Sequence, residues 1–346
     1  MKLTPQNRRL VTLSVSAIIV IAFVIIGSTA RVPFVGISPG PTVNTLGDVD
    51  GKQVVEVSGA VDPDPSGHLN LTTVSVTDGV TLFQSIGMWL SGDYEIAPRE
   101  LYYPSTKSDQ QVQDDNAQQM ASSEDNATGA ALTYLKRPTA VGVGDVADNS
   151  PAKGKLEDGD IITAVGGQPV SDPTKLPDMV RAEAPGTVVP FAINRKGADQ
   201  TIDVTLAPRP DDPKQGFLGV TPKVVSADPN VQITYNVGQI GGPSAGLMLT
   251  LAVIDRMTPD DLAKGQFVAG TGTISPDGKV GPIGGITHKI AAASKAGASV
   301  FLVPADNCSE AKSHTPKGIE LVKVDTLTGA VDALHTLKTD QTRPHC

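Results

Sequence analysis

A long uninterrupted apolar stretch lies near the start of the chain. Leu10 to Ala30 contains no charged residue, and most of it is Val, Ile, Ala and Leu. A helix rises about 1.5 Å per residue, so this stretch would span about 30 Å, the thickness of one hydrocarbon core. The pattern predicts a transmembrane anchor over 10–30, with residues 1–9 ahead of it.

The basic residues beside this stretch are unevenly distributed. Lys2, Arg8 and Arg9 precede it, whereas only Arg31 follows closely. Positive residues concentrate on the cytoplasmic side of a membrane. We therefore expect a cytoplasmic N-terminus and a single-pass protein of the cell membrane whose later domains are extracytoplasmic. The alternatives are a signal peptide cleaved after the small residues Ser28-Thr29-Ala30, and a buried helix of a soluble protein.

The segment over 31–132 is interpreted as an extracytoplasmic lead-in and linker. Val54–Val57 and Leu69–Val76 alternate apolar and polar positions, as strands do. Val80–Leu90 predicts a short helix. Residues 107–128 are rich in Gln, Asp, Asn, Ser and Ala and contain almost no large apolar residue. We expect a solvated helix or a linker there, and no functional site.

A second unit is predicted over 133–209. Its pattern Ala152-x-Gly154-x-Leu156-x-x-Gly159-Asp160-x-Ile162 resembles the bacterial PDZ domains of HtrA-like proteases. Such domains bind an extended peptide as an added strand at a sheet edge. The resemblance implies a peptide groove beside Thr139–Val143, with Val141, Gly142 and Val143 as the binding residues. The alternative is a β-rich spacer whose groove is never used.

The last unit, over 215–340, mixes helical and strand patterns after a Pro-rich linker. Strands and helices interleave without a strict βαβ period, so the predicted fold class is α+β. Helices are predicted over Leu247–Met257, Ile286–Ala296 and Leu327–Leu337, and strands over Val231–Val237, Val300–Val303 and Ile319–Val324.

Ser244 stands among small residues at the predicted start of an apolar helix, within Gly242-Pro-Ser-Ala-Gly246. A helix start offers free backbone N–H groups and the positive end of the helix dipole, which stabilise a developing oxyanion. Ser244 is therefore a candidate nucleophile, and Gly242 and Pro243 are candidate supporting residues. The alternative is that Ser244 only caps the helix. Capping alone does not explain so many small neighbours.

Lys289 is the candidate base for this serine, since no histidine is convincingly placed. Ile286, Ile290 and Ala293 form the apolar stripe of one predicted helix, and Lys289 borders that stripe. Partial burial would disfavour the ammonium and lower its pKa from about 10.4, which lets a lysine act as a base. The alternative is a surface lysine whose stem lies along the stripe.

These residues stand in a specific order. Gly242-Pro-Ser-Ala-Gly246, then Thr271-Gly272, then Pro282-Ile-Gly-Gly-Ile-Thr-His-Lys289 closely resembles the proteolytic domain of Lon proteases. The resemblance covers about 215–340. It implies a Ser-Lys peptidase, and it predicts a Lon-type domain at the end of the chain.

Position by position, the resemblance implies that Ser244 is the nucleophile, Lys289 the general base and Thr271 the residue that orients the lysine. One departure is visible, because Lon enzymes usually carry Thr-Gly-Glu where this chain has Thr271-Gly-Thr273. The resemblance therefore implies no glutamate role at this position, where the chain has Thr273.

The arrangement of anchor, PDZ-like unit and Lon-type domain resembles the bacterial membrane-bound, PDZ-containing Lon-like proteases of the YlbL type. Lon enzymes carry an ATPase module, yet the sequence shows no Gly-x4-Gly-Lys-Ser/Thr motif. The resemblance therefore implies ATP-independent hydrolysis of protein or peptide substrates outside the membrane.

Composition and residue spacing limit which partners and cofactors are expected. The net charge of −9 argues against a nucleic-acid partner, which usually meets a basic face. No CxxC, HExxH or other metal-ligand spacing occurs, so neither a metal nor another cofactor is expected. Cys308 and Cys346 are the only cysteines, and the sequence does not show whether they pair.

Three functions remain open from the sequence. The first is an anchored, ATP-independent serine endopeptidase with PDZ-assisted substrate capture. The second is a non-catalytic PDZ adaptor or scaffold with a Lon-like domain. The third is a maturation enzyme that cleaves only its own chain. Assembly into a homo-oligomer is left open in each case.

Overall fold

The computed structural model describes residues 5–59, 61, 65–339 and 341–346. These residues divide into two units. The smaller comprises the described parts of Met1–Pro41 and Thr73–Asp114, and the larger those of Thr42–Thr72 and Asp115–Cys346. Residues 1–4, which include Lys2 of the predicted basic flank, lie outside the described residues.

The α-helices of the described chain are α1 (Pro5–Thr29), α2 (Leu82–Ser91), α3 (Asp109–Tyr134), α4 (Lys175–Ala182), α5 (Gly246–Met257), α6 (Ile286–Ala296), α7 (Cys308–Ser313) and α8 (Leu327–His335). Short 3-10 turns cover Arg99–Leu101, Pro243–Ala245 and Ala305–Asn307.

The strands are β1 (Phe34–Asn44), β2 (Asp48–Val49), β3 (Lys52–Gln53), β4 (Val55–Val57), β5 (His68–Thr77), β6 (Glu95–Pro98), β7 (Thr139–Val146), β8 (Ile161–Val165), β9 (Gln168–Pro169), β10 (Val188–Arg195), β11 (Ala198–Thr205), β12 (Ala207–Pro208), β13 (Gly216–Phe217), β14 (Val220–Ser226), β15 (Ile233–Tyr235), β16 (Phe267–Gly270), β17 (Thr273–Ile274), β18 (Val280–Gly281), β19 (Val300–Pro304) and β20 (Glu320–Val324). This mixture of helices and strands confirms the predicted α+β class.

In the smaller unit, α1 contains a stretch of 21 residues, Arg9–Thr29, that is long and apolar enough to cross a membrane. The helix predicted over Val80–Leu90 is confirmed as α2. It starts after Thr81, whose hydroxyl accepts from the Gln84 N–H while the Gln84 side chain accepts from the Thr81 N–H. This capping box satisfies donors that a helix start leaves unpaired. β1 pairs with β6 in antiparallel register.

A parallel sheet organises the C-terminal part of the larger unit. β16 lies between β5 and β19 and runs parallel to both, and β20 extends the sheet beyond β19. β5 comes from nearly two hundred positions earlier in the chain, as the register of Ala269 with Asn70 illustrates. No local pattern predicts that pairing.

The helices of this part follow their apolar patterns closely. All twelve residues of α5 are buried, as expected for a helix that is apolar on nearly every face. α6 has the predicted bounds, and Ile286, Ile290 and Ala293 form its buried stripe. Gly297 ends α6 in the left-handed conformation, with φ 97°, because glycine adopts this conformation without a steric penalty.

A separate antiparallel sheet with strand order β11-β10-β8-β7-β14 precedes the protease-like part. Its core contains Phe191, Ile162 and Leu176, all almost fully buried. α4 supplies Leu176 and lies against this sheet. Cys308 and Cys346, whose pairing the sequence left open, form a disulfide with their Cα atoms 5.1 Å apart.

Candidate active site

Ser244 lies in the 3-10 turn Pro243–Ala245, which leads directly into the buried helix α5. Gly242 precedes the turn with φ 87°, a left-handed conformation that favours glycine. Ser244 makes no side-chain cap at this helix start. Its Oγ instead accepts a hydrogen bond from Lys289 Nζ at 2.7 Å. The interpretation of Ser244 as a mere cap is therefore wrong.

Lys289 lies in the first turn of α6 and is only 2% exposed. The interpretation as a surface lysine is therefore wrong, since the ammonium does not reach solvent. Burial lowers the pKa of Lys289 to about 8, because a charged amine loses hydration inside the protein. About a tenth of the amine is therefore neutral at pH 7 and about half at pH 8, and a general base must be neutral to accept a proton.

The Lys289 amine has three hydrogen-bond acceptors around it. They are the Thr72 backbone carbonyl at 3.0 Å, the Thr271 hydroxyl at 3.0 Å and the Ser244 hydroxyl at 2.7 Å. Thr72 belongs to β5, which sequence reasoning did not connect with the site. A carbonyl can only accept, so Thr72 always needs one N–H of the lysine.

Thr271 links the lysine to the backbone of the candidate nucleophile. Its hydroxyl donates to the Ser244 carbonyl at 3.1 Å and so receives the Lys289 bond as an acceptor. The Gly272 N–H donates to the same carbonyl at 3.0 Å. Thr271 is fully buried, and no solvent competes for these bonds. The structure thus brings Ser244, Lys289 and Thr271 together.

The backbone of the predicted supporting residues Gly242 and Pro243 is held by α3, which the sequence analysis did not connect with the site. The Gly242 N–H donates to the Asn116 carbonyl of α3 at 3.0 Å, and the Ser123 hydroxyl donates to the Pro243 carbonyl at 3.2 Å. The Gly242 N–H therefore already has a partner in α3 and is not available to stabilise an oxyanion in this structure. The expectation that residues 107–128 contain no site residue is also wrong. No local pattern indicates these contacts, because both join positions more than a hundred residues apart.

A second supporting contact, which the sequence did not predict, holds the turn before α6. Asn307 accepts from the Ile283 N–H and donates to the Ile283 carbonyl, each at 2.9 Å. This reciprocal pair fixes the backbone just before Gly285, which enters α6 with φ 69°. The position of Lys289 therefore depends on a side chain that follows it in the chain.

The predicted peptide-binding strand is not at a sheet edge. In β7, Val141 pairs with Ile162 of β8 on one side and with Val224 of β14 on the other. Gly142 and Val143 likewise have partners in β14. A strand paired on both sides has no free edge for a peptide. The prediction for Val141, Gly142 and Val143 is wrong, because β14 returns from later in the chain and covers that edge.

The structure offers a different groove in the same domain. A cavity of about 220 Å³ lies between α4 and the segment that runs from Gly216 into β14, the last strand of the sheet. Gly219 turns with φ 80°, and a Cβ there would lie 2.1 Å from the Ser150 Cβ. The cavity is lined in part by Leu176, Val180, Arg181, Arg209, Leu218, Gly219 and Val220.

A larger cavity, of about 410 Å³, adjoins the middle of α3, the turn before β8 and β14. Burial raises the pKa of Glu124 to about 7, with Asp125 adding to the rise and Lys223 opposing it. Burial also raises the pKa of Asp125 to about 6, against the effects of Lys223 and of the Val224 N–H. These carboxyls are poorly solvated, and their protonation changes near neutral pH.

Among the described residues, no group of three or more His, Cys, Asp or Glu side chains has the geometry of a metal site.

Comparison with known families assigns both folded domains. Residues 112–206 match the family model of the PDZ domain, and residues 225–335 match that of the Lon protease (S16) C-terminal proteolytic domain. Two solved structures are similar to about a quarter of this chain. The PDZ domain of the SdrC-like protein from Listeria monocytogenes is 24% identical with a TM-score of 0.22, covering 24% of this chain and 86% of that one. A solution structure from Geobacillus thermodenitrificans is 36% identical with a TM-score of 0.22, covering 24% of this chain and 94% of that one.

Curated relatives agree with the second assignment. A Lon protease from Phenylobacterium zucineum is 34% identical over 120 residues, which is 34% of this chain and 15% of that protein. An archaeal Lon protease from Halobacterium salinarum is 34% identical over 97 residues, 28% of this chain and 14% of its own length. Lon protease 2 from Bacillus subtilis is 34% identical over 111 residues, 31% and 19% of the two lengths. The chain thus spans less than a fifth of these relatives. Within this chain, a PDZ domain therefore precedes a Lon-type serine peptidase domain.

Proposed function

We propose that this protein is a membrane-anchored serine endopeptidase that works without ATP and uses Ser244 and Lys289 as its catalytic dyad. The observation that carries the proposal is the 2.7 Å contact between Lys289 Nζ and Ser244 Oγ, made by a lysine with a lowered pKa. A buried amine beside a serine hydroxyl is an arrangement that activates the serine as a nucleophile.

The surrounding acceptors would orient the base. In the neutral amine, one N–H is directed to the Thr72 carbonyl and the other to the Thr271 hydroxyl. The nitrogen lone pair then faces the third neighbour, Ser244 Oγ, and can accept its proton. Thr271 is thus a positioning residue that excludes the wrong orientation of the amine.

The reaction would proceed in two steps. Ser244 Oγ attacks the scissile carbonyl while Lys289 takes the hydroxyl proton, and the ammonium then returns that proton to the leaving amine. Water hydrolyses the acyl-enzyme with Lys289 again as base. We assign oxyanion stabilisation to the Ser244 N–H at the helix start, since the Gly242 N–H donates to Asn116.

We propose that hydrolysis requires no nucleotide. The sequence has no phosphate-binding Gly-x4-Gly-Lys-Ser/Thr loop, and the site needs no energy input to bring its dyad within hydrogen-bond distance. Peptide cleavage rates measured with and without Mg-ATP should be equal. A rate that rises severalfold with Mg-ATP would contradict this part of the proposal.

We propose that the PDZ domain captures substrates in the groove between α4 and the segment from Gly216 to Pro222. β14 is the terminal strand of its sheet, so an extended peptide can add to it. Arg181 and Arg209 line the groove, paired with Asp178 and Asp211, and would exchange these partners for the free C-terminal carboxylate of a peptide. The PDZ unit would then extend beyond the predicted boundary at residue 209, to Ser226 at the end of β14.

We propose that α1 anchors the chain in the cell membrane, with the later domains extracytoplasmic. The length and composition of Arg9–Thr29 support a span, and the basic residues ahead of it support this orientation. The proposed division is anchor 10–30, lead-in 31–132, PDZ unit from 133 and Lon-type domain to 340. Protease accessibility of a C-terminal tag in intact cells tests the orientation.

The decisive experiment measures hydrolysis of casein and of fluorogenic peptides by the full chain and by Ser244→Ala and Lys289→Ala. Both variants should lose activity by at least about a hundredfold, because each removes an atom of the proton transfer. Lys295→Ala is the matched control, since Lys295 is an exposed lysine of the same helix. Unchanged hydrolysis by both variants would contradict the dyad, and absence of hydrolysis by the wild-type chain would instead favour the PDZ adaptor function.

A further inference from the structure

The helix α2 has its apolar residues on the outside. Leu82–Ser91 contains no charged residue, and Ser85 is its only buried residue. Ile86, Trp89 and Leu90 are 42%, 67% and 71% exposed. A helix that stays in water normally directs its apolar face to a core. α2 does the opposite, so its surroundings are expected to be apolar.

Local capping interactions, and not burial, set the two ends of α2. The capping box of Thr81 and Gln84 closes its start, and Gly92 ends it in the left-handed conformation with φ 75°. Ser85 turns its hydroxyl back to the Thr81 carbonyl at 2.9 Å. The polar groups at the start of α2 therefore form hydrogen bonds within the helix, which lowers the cost of placing them in an apolar environment.

α2 is packed directly against the span in α1. The rings of Phe83 and Phe23 meet edge to face, with centroids 5.5 Å apart. Gly27 allows this approach, because a Cβ at that position would lie 2.6 Å from the Phe83 ring. Phe23 precedes the end of α1 at Thr29 by six residues, which corresponds to about 9 Å along a helix. The start of α2 therefore lies beside the span, below its end.

We propose that α2 is an interfacial membrane helix that inserts Ile86, Trp89 and Leu90 into the lipid bilayer beside the anchor. Helices of this kind bury their apolar face about 5–10 Å into the boundary of headgroups and acyl chains, and tryptophan favours this level. The depth of Phe83 beside Phe23 agrees with that range. The inference rests on the proposed anchoring by α1 and adds a second membrane contact in the same unit.

The distribution of charge and of other apolar residues supports a lipid partner. Charged residues stand on both sides of α2 and none lies within it. Asp78 precedes it, Asp93 follows it, and Arg31 forms a backbone bridge with Thr81 at its start. Asp78 forms an ion pair with Arg99 at 2.8 Å, outside the helix. In the larger unit, exposed large apolar residues such as Val188 stand singly, as on an ordinary soluble surface.

Trp89 is the only tryptophan of the chain, so its fluorescence reports on α2 alone. The full chain would be reconstituted in phosphatidylcholine and phosphatidylglycerol vesicles. We expect blue-shifted emission, weak quenching by acrylamide, and a drop of about twofold when the lipid carries bromine near the top of the acyl chains. Leu90→Glu should restore acrylamide quenching, and Val188→Glu, which changes an exposed apolar residue in the PDZ sheet, should not.

Three results would overturn the proposal, and they differ from one another. Trp89 that is open to acrylamide in a chain that resists carbonate extraction would exclude α2 insertion and leave the α1 anchor intact. Trp89 that is shielded from acrylamide yet unaffected by brominated lipid would indicate a protein partner, such as a second copy. A chain that carbonate removes from the vesicles would contradict the anchor, and the α2 inference with it.

Discussion

The candidate dyad and the candidate peptide groove differ in how the chain builds them. The proposed dyad consists of two residues whose own side chains would carry the chemistry, Ser244 and Lys289, and local motifs mark both of them. The groove lies along a free strand edge, and strand order decides which edge is free. The structure brings the two predicted dyad residues together, whereas the groove was predicted on β7, which is paired on both sides. Residues with catalytic side chains can be recognised from local sequence motifs, whereas a free strand edge cannot, because it depends on strand order.

The largest expected effect concerns the dyad. Lys289→Arg keeps the positive charge but replaces an amine of pKa about 8 with a guanidinium that stays protonated. We expect kcat to fall by about a thousandfold, in line with the loss of a general base. In the wild type, kcat should rise with pH and reach half its maximum near pH 8, because only the neutral amine accepts a proton.

Stopped assays with a fluorogenic peptide across the pH range measure both quantities. Lys295→Arg is the control at the other end of α6. A wild-type profile that is flat above pH 6 would contradict lysine as the base. An active Lys289→Arg enzyme would do so as well.

The second prediction tests whether the position of Ser244 also depends on α3, which lies far from it in the sequence. Ser123→Ala removes the hydroxyl that holds the Pro243 carbonyl from α3. We expect kcat to fall by about tenfold with little change in KM, since small misplacements of a nucleophile are costly. The pH midpoint should not move, because Lys289 keeps its contacts. A parallel melting curve checks that the fold is retained.

Ser122→Ala is the matched control, because Ser122 is exposed and its hydroxyl donates within α3 to the Gln118 carbonyl at 3.0 Å. Equal kcat values for the two alanine variants would show that α3 does not position the nucleophile loop. The position of Ser244 would then depend only on residues close to it in the sequence and not on the contact from α3.

A smaller effect is expected in the groove. Arg181→Glu reverses a partly exposed charge beside the cavity of about 220 Å³. Binding of a peptide with a free C-terminus should weaken by about fivefold, as for a partly screened charge contact. Fluorescence anisotropy measures this affinity, and an amidated peptide should show little dependence on the substitution.

Lys175→Glu changes an exposed charge on the same helix, outside the cavity lining, and should bind both peptides as the wild type does. An equal loss in both variants would mean that overall charge, and not the groove, governs capture. Full binding by Arg181→Glu would remove the support for the new groove.

The smallest effect concerns the acidic cavity beside α3. The Glu124 carboxyl has a folded-state pKa of about 7, raised from an ordinary value of 4.5. The folded state holds this proton more tightly than the unfolded state, so stability falls as pH rises from about 4.5 to about 7. Glu124→Gln imitates the protonated form. It should raise the free energy of unfolding by about 1 kcal/mol at pH 8, and leave it unchanged at pH 4.

Thermal unfolding at both pH values checks the sign. Glu100→Gln, at an exposed carboxylate of the smaller unit, serves as the control. A Glu124→Gln variant that is less stable at pH 8 would mean that the ionised carboxylate makes a favourable contact, in conflict with its poor solvation.

The sequence predicted the elements of the Lon-type domain well, because their signals are local. The bounds of α6, the all-round burial of α5 and the glycine cap at Gly297 follow from apolar periodicity and turn chemistry. It did not predict that Asn116 and Ser123 of a polar helix would hold the nucleophile loop. Composition indicated only a solvated segment there, and a contact made through one carbonyl and one hydroxyl leaves no compositional trace.

By itself, the sequence determined the apolar span, the order of the two folded domains and the residues that can carry the chemistry, since each of these depends on residue type and short spacing. Only the tertiary structure decided which groups surround Lys289, which strand keeps a free edge and which face of α2 is exposed. β5 brings the Thr72 carbonyl to the amine, β14 covers β7, and α2 meets α1 through Phe83 and Gly27. These outcomes depend on pairings between distant segments, whose free energy comes from contacts that no local window contains.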